Sequence, residues 1–185
     1  LASIVKAYDI RGVVPDQLDE GVAEAVGAAF ARVTGASTIV TMHDMRTSSG
    51  PLAEAFGRGA AAQGADVLAG GLASTDMLYY ASGDLGIPGA MITASHNPSR
   101  YNGIKLCRAG ARPIGIQTGL QEIKDYAERG LVPASLPGTV TSRDMLPGYA
   151  DHLRKLVDIS SIRPLKVVVD AGNGMAGHTV PKVFE

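Results

Sequence analysis

The stretch GAMITASHNPSRYNGIKLC, residues 89–107, sets a hydroxyl, an imidazole and an amide side by side at Ser95, His96 and Asn97, with the ammonium of Lys105 a little further on. Ala90 to Thr93 reads as a short buried strand, because it is apolar and ends on β-branched residues. Pro98 lacks an N–H and drives Asn97 towards extended geometry, so no helix runs through this point. Asn102-Gly103 reads as a turn, after which Ile104 to Cys107 resumes an apolar strand. A nucleophilic hydroxyl is therefore held in a stiff loop at the end of a buried strand, where open α/β sheets place ligands. Lys105 lies past the turn and can return to the same mouth. The bland alternative is a capped loop at Ser95 and a solvated strand end at Lys105. Adjacent Ser95 and His96 also suggest a hydrolase dyad, but triad partners are usually distant in sequence and no G-x-S-x-G elbow surrounds Ser95.

Two further clusters carry chemistry. Tyr8-Asp9-Ile10-Arg11-Gly12 offers in Arg11 a fixed cation with a planar donor fork suited to a phosphate, or, more blandly, a surface salt bridge. His43-Asp44-Met45-Arg46-Thr47-Ser48-Ser49 lies between a strand and a helix N-terminus, an anion-friendly layout. Asp44 and Arg46 are expected to support the site, and His43 to be a hydrogen-bonded loop residue, since no second His or Cys stands at ligand spacing. A third string, Gly172-Asn173-Gly174-Met175-Ala176-Gly177, is literally G-x-G-x-x-G after an apolar run, so a dinucleotide site is an alternative. Its fingerprint also requires an acidic residue about twenty positions later.

The elements that must position these residues alternate. A helix is expected over Asp16–Thr34, with Asp16 as N-cap and Gly35 after its end. Strand Thr38–Met42 follows, then a helix with Pro51 in its first turn that ends near Gly64. Strand Asp66–Ala69 closes at Gly70-Gly71, and a helix capped by Ser74 or Thr75 runs to about Ser82. Arg108 to Pro113 reads as a loop. Ile116, Leu120, Ile123 and Ala127 mark an amphipathic helix that stops at Gly130. Residues 131–143 read as an edge strand plus linker. A helix is expected over Tyr149–Val157, with Tyr149, Leu153, Leu156 and Val157 on one face, and a strand over Leu165–Val169. The expected class is α/β: a mostly parallel mixed sheet sandwiched by helices over residues 1–143, with 144–185 opening a second similar α/β domain.

Composition bounds the rest. The 185 residues are 45% hydrophobic and 19% charged, which suits a packed core. A formal net charge of -1 leaves no basic stripe for nucleic acid. One cysteine, Cys107, excludes an internal disulfide and fits a reducing, cytoplasmic setting. No apolar run approaches a membrane span, and no signal-peptide pattern is present. The start has no initiator Met, so residues preceding Leu1 are expected.

TASHNP followed by NGIK, together with YDIRG, the D-x-R-x-S-S turn and VVVDAGNGMAG, resembles the α-D-phosphohexomutases, the family of phosphomannomutase and phosphoglucomutase. YDIRG is similar to that branch, whereas phosphoglucosamine mutases tend to start with a GTDGVRG-like string. The resemblance implies that Ser95 carries a phosphoryl group, gives it to a hexose phosphate and takes another back through a hexose 1,6-bisphosphate, which also acts as activator. It implies Lys105 as acid/base, Arg11 and Tyr8 facing the site, and His96 and Asn97 in the phosphate environment. It implies Mg²⁺ held by the Ser95 phosphate and three aspartates of a D-x-D-x-D-R-like loop. No such loop occurs in these residues, so the chain is expected to be a fragment, inactive alone. A phosphoserine brings nearly two negative charges and three acceptor oxygens, and requires a cation and N–H groups around it. A non-catalytic phosphosugar-binding module stays open as an alternative. Mannose against glucose preference and oligomeric state are not legible.

Overall fold

The computed structural model describes residues 1–185. Its centre is a seven-stranded mixed sheet of β1 (Ile10–Val13), β2 (Thr38–His43), β3 (Asp66–Leu72), β4 (Gly89–Ile92), β5 (Tyr101–Arg108), β6 (Arg112–Pro113) and β7 (Val140–Ser142), in the order β1-β5-β4-β2-β3-β7, with β6 beside β5. The pairs β4–β2, β2–β3 and β3–β7 are parallel, whereas β1–β5, β5–β4 and β5–β6 are antiparallel. The α/β class is as expected, with an antiparallel wing attached to a parallel half.

Helices cover both faces. Ile39, Val67, Ala90, Ile92, Ile104 and Leu106 face one way and bury against α1 (Glu20–Thr34), α2 (Ser49–Ala62) and α4 (Leu120–Arg129). Their neighbours Val40, Met42, Met91 and Cys107 face the other way, against α3 (Thr75–Leu85) and α5 (Leu146–Leu156). This two-residue alternation is the strand period expressed as two cores. Helices α1 and α2 approach closely because two glycines meet the facing backbone: a Cβ on Gly27 would lie 2.0 Å from the Phe56 carbonyl oxygen, and one on Gly59 would lie 1.9 Å from that of Glu24. On the second face α5 is tied to α3, with the Tyr149 hydroxyl donating to Asp76 Oδ2 at 2.5 Å. Burial, with the Asp76 carboxylate beside it, pushes the Tyr149 phenol up to about 12.

Several expectations are corrected. Arg108 to Pro113 is not a loop throughout: Arg108 ends β5, and Arg112–Pro113 form β6 hydrogen-bonded beside it. Helix α1 starts after Asp19, whose carboxylate accepts the Val22 N–H at 2.8 Å; Val13 to Leu18 form a turn instead, closed by Gln17 and Leu18 N–H groups on the Val13 carbonyl. Strand β3 runs through Gly70-Gly71, because a bulge opposite Thr41/Met42 absorbs the extra residue; there a Cβ on Gly70 would meet Met42 at 2.6 Å. Asn102-Gly103 is not a turn. Both lie inside β5 opposite Gly12 and Arg11, and the chain reverses earlier, where the Asn97 N–H bonds the Ala94 carbonyl and the Tyr101 N–H bonds that of Pro98. Leu165–Val169 forms no strand, since no other strand of these residues lies beside it, and Val168 is 88% exposed. Pairing defines a strand, and apolar β-branched composition supplies only the propensity. Likewise Leu156 and Val157 point to solvent, while Tyr149 and Ala150 are buried. Helix α6 (Ala176–Val183) touches the rest through Arg154, which donates to the Lys182 and Val183 carbonyls.

Two outcomes follow from this packing. Gly27→Ala or Gly59→Ala should lower stability by about 1–3 kcal/mol, because a methyl group has no room at either crossing; urea denaturation measures it. The edge strand β7 is tethered by Asp66 Oδ1, which accepts the Thr139 N–H at 2.8 Å and hydroxyl at 2.7 Å, and these bonds hold the Asp66 carboxyl below its ordinary value. A depressed folded value means a stabilisation fully present above the unfolded value, about 3.9, and lost as pH falls through the folded one. The protection factor of the Thr139 amide, corrected for intrinsic exchange, should therefore fall below roughly pH 4, and Asp66→Asn should remove that acid dependence.

Candidate active site

The loop between β4 and β5, residues 93–100, has no ladder of its own, yet its backbone is held from outside at several points. The Arg46 guanidinium reaches across from the end of β2 and donates four bonds. Its Nη1 donates to the carbonyls of Pro98 and Tyr101, both at 3.0 Å, and its Nη2 to those of Ser95 at 2.8 Å and Asn97 at 2.7 Å. Its Nε lies 3.3 Å from Asp44 Oδ2 but off the hydrogen-bonding direction, so Asp44 balances the charge without taking that proton.

Asp44 is buried and fully engaged. Its Oδ1 accepts the Ser49 hydroxyl at 2.5 Å and the Arg46 N–H at 3.0 Å, and its Oδ2 accepts the Thr93 hydroxyl at 2.6 Å. Thr93 Oγ1 in turn accepts the Ser95 N–H at 2.9 Å. Buried Asn102 closes the network: its amide donates to Ser48 and Ser49, both at 2.9 Å, and its oxygen accepts the Gly103 N–H at 2.8 Å. A half-satisfied buried network would be costly; here each of these side chains has partners, and the Arg46 Nε alone is left without one.

Ser95 is thus fixed at both backbone ends, by Thr93 at its N–H and by Arg46 at its carbonyl. Its φ is +53°, a left-handed conformation that a non-glycine residue holds only when its surroundings impose it. The side chain is exposed, and its Oγ has one neighbour, His96 Nδ1 at 3.4 Å. No third group orients His96, so the pair lacks the layout of a hydrolase triad. Asn97 turns inward and donates from its amide to the Ala94 carbonyl at 2.8 Å.

The cations stand on the neighbouring strands. Arg11 of β1 lies opposite Gly103 of β5, whose carbonyl accepts the Thr93 N–H, so Arg11, Gly103 and Thr93 form a row across the sheet. Arg11 Nη2 donates to Asp9 Oδ2 at 2.9 Å, and Lys105 Nζ reaches the same oxygen at 3.5 Å. Tyr8 is 76% exposed, its ring beside Gly115. His43 is a bonded loop residue, with Nδ1 at 2.9 Å from the Asp44 carbonyl. Asp9, Ser49, Thr93 and Asn102 are additions that residue type alone did not single out. None carried a signal of its own: Asp9 lies just before β1, and its place beside Arg11 and Lys105 follows only from the pairing of β1 with β5.

No group of three His, Cys, Asp or Glu side chains is placed to hold a metal. Asp44 is spent on Ser49, Thr93 and Arg46, leaving Ser95 to supply oxygen. A hard cation needing about six oxygens does not find its ligand set in these residues alone. The G-x-G-x-x-G string keeps a tight turn, with Gly172 N–H on Asp170 Oδ1 at 2.9 Å and φ +52° at Gly172. It lacks the paired strand that a dinucleotide fingerprint requires.

The family model described as phosphoglucomutase/phosphomannomutase, alpha/beta/alpha domain I, matches residues 2–131. A phosphomannomutase of Escherichia coli is 43% identical over 183 residues, covering 96% of this chain and 40% of the relative. A protein named phosphohexose mutases from Xanthomonas campestris pv. campestris (strain B100) is 44% identical over 177 residues, covering 95% and 40%. Among solved structures, a phosphoglucomutase/phosphomannomutase family protein of Burkholderia thailandensis superposes with a TM-score of 0.85 at 32% identity, over 100% of this chain and 42% of that one. The chain spans about 40% of the length of the curated relatives it matches.

Arg46→Ala should release the loop while leaving the sheet intact. Amide protection at Asn97 and Tyr101 should fall by about ten-fold or more, with far-ultraviolet circular dichroism unchanged, since bonds to a charged donor are worth about 1.5–3 kcal/mol each. Arg46→Lys should restore little, because an ammonium cannot span four carbonyls in a plane.

Proposed function

The chain belongs to the phosphoglucomutase/phosphomannomutase family, and from that premise we propose that the protein it forms part of interconverts hexose 6-phosphate and hexose 1-phosphate, of mannose or glucose, with Ser95 as the phosphoryl carrier. One observation supports this most: an exposed hydroxyl on a backbone clamped at both ends, with two cations on the adjacent strands. A phosphoryl carrier needs that combination, because transfer is governed by positioning and by charge stabilisation.

The proposed cycle starts with phosphate on Ser95. The free hydroxyl of a hexose phosphate attacks that phosphorus; a new P–O bond to the sugar forms, the bond to Ser95 Oγ breaks, and Lys105 relays the hydroxyl proton to the departing Ser95 oxygen, remaining an ammonium at the end of the step. The resulting hexose 1,6-bisphosphate turns within the site and returns its other phosphate to Ser95, with the proton restored to the sugar oxygen. Arg11 faces the phosphate as a planar donor fork, and Tyr8, His96 and the loop around Asn97 shape its surroundings. Mg²⁺, held by the Ser95 phosphate together with carboxylates from outside these residues, would offset negative charge at the phosphoryl group.

The same proposal covers the division of the chain into a first α/β domain over 1–143 and the opening of a second over 144–185, with α5 packed onto the first through Tyr149. The exposed apolar face of Leu165–Val169 supports it, because such a strand is stable only beside others. These residues alone are proposed to be inactive. A cytoplasmic setting rests on the single buried cysteine, Cys107.

In the full-length protein, Ser95→Ala should lower mutase turnover by at least about a thousand-fold, and intact-mass analysis should find phosphate on Ser95 of the parent and none on the variant. Normal turnover in Ser95→Ala would overturn the carrier role. Binding of the bisphosphate with no phosphate ever appearing on Ser95 would favour a binding module instead.

A further inference from the structure

Asp9 is the one acid in contact with both cations of the site. Its side chain is 10% exposed, against 36% for Arg11 and 31% for Lys105, so the carboxylate sits behind and the two cations in front. Its Oδ2 alone meets both, at 2.9 Å from Arg11 Nη2 and 3.5 Å from Lys105 Nζ. The two cations come from different strands. Asp9 stands just before β1, one residue beyond the Ile10↔Ile104 pair, and from there its carboxylate reaches both Arg11 of β1 and Lys105 of β5. The Asp9 backbone is itself fixed, with its carbonyl accepting the Lys6 N–H at 2.7 Å.

Charge and placement separate this from an ordinary ion pair. One carboxylate between two cations leaves one net positive charge, so the cluster attracts an anion instead of neutralising itself. Two free cations side by side would repel each other and spread, at a cost in side-chain entropy each time they were gathered. A shared oxygen behind them removes both costs. Between Arg11 and Thr93 in the row across the sheet lies Gly103, where a Cβ would lie 2.6 Å from the Ile10 carbonyl oxygen and 2.8 Å from that of Thr93, so backbone packs closely from the cations to the root of the Ser95 loop.

We propose that Asp9 is a positioning residue for phosphoryl transfer: it holds Arg11 and Lys105 in a single arc that meets the phosphoryl group as it passes between Ser95 and the sugar. This rests on the mutase reading given above. Asp9 takes no proton and touches no substrate; it acts through the two cations.

The test uses the full-length protein with Asp9→Asn, Asp9→Glu, Arg11→Ala, the double variant Asp9→Asn/Arg11→Ala, and Ser95→Ala as reference. Asp9→Asn should lower kcat by about ten-fold or more with KM for the hexose phosphate changed by less than about three-fold, the pattern of an interaction used in the transition state. Asp9→Glu, which keeps the charge, should recover part of kcat. In the Arg11→Ala background the same Asn substitution should cost markedly less than in the parent, because the two residues act as a unit. A kcat within about two-fold of the parent for Asp9→Asn, full additivity with Arg11→Ala, or a Glu variant no better than the Asn variant would overturn the role. Should Ser95→Ala stay active, the mutase reading itself falls; an inactive Ser95→Ala beside a near-normal Asp9→Asn removes only the Asp9 proposal.

Discussion

The grip of one guanidinium on four carbonyls, three in the loop and one at the start of β5, is the interaction on which the site depends. A loop that reverses direction at the end of a buried strand leaves its carbonyls without ladder partners, and unpartnered backbone groups are costly unless water or a donor meets them. Arg46 meets four at once, and it can sit there because buried Asp44 balances its charge. Asp44 in turn is held by Ser49, Thr93 and the Arg46 backbone. The same carboxylate thus orients the clamp and, through Thr93, the N–H of Ser95. Remove the charge from Asp44 and a guanidinium is left against a neutral group in a part-buried place. The left-handed conformation at Ser95 is sustained by this arrangement and aims its hydroxyl outward.

The sheet supplies the second condition. Its parallel half delivers β2 and β4 side by side, so that Asp44 and Thr93, just past their ends, come within a hydrogen bond. Its antiparallel wing does something a purely parallel sheet would not. By folding β5 back beside β4 and adding β1 at the edge, it brings Lys105 and Arg11 to the side of the loop they follow or precede by many residues. Close approach of α1 and α2 through Gly27 and Gly59 holds the opposite face rigid beneath it, a packing that leaves no slack for the site to drift.

Residues beyond α5 behave differently for a reason already present in their chemistry. Leu165–Val169 is as apolar as β2 or β4, yet it lies open, because a strand becomes one by pairing and an amphipathic face becomes buried by meeting another. Helix α6 is held to α5 by Arg154 on its terminal carbonyls and by little hydrophobic contact.

Local chemistry in the sequence determined a good deal. Period-two and helical patterns placed β2, β3, β4 and the helices α1 to α4, though not β1 or β6; glycine at position 35 ended the first helix through its left-handed freedom, and Pro98 kept helix out of the Ser95 loop. The string around Ser95 with YDIRG pointed to the family. Contacts distant in sequence were decided elsewhere. Asn102-Gly103 has the composition of a turn, but burial of the Asn102 amide against Ser48 and Ser49 made it strand. Asp16 and Asp19 are equally good caps, and the turn closed on Val13 selected the second. Arg46 was legible as support, but not as a clamp, since its four acceptors lie about fifty residues away. Asp9 carried no sign of its task until β1 was laid beside β5. Propensity and turn chemistry act over a few neighbouring residues and can be read in order along the chain; hydrogen bonds and ion pairs across strands depend on register, which only the assembled sheet sets.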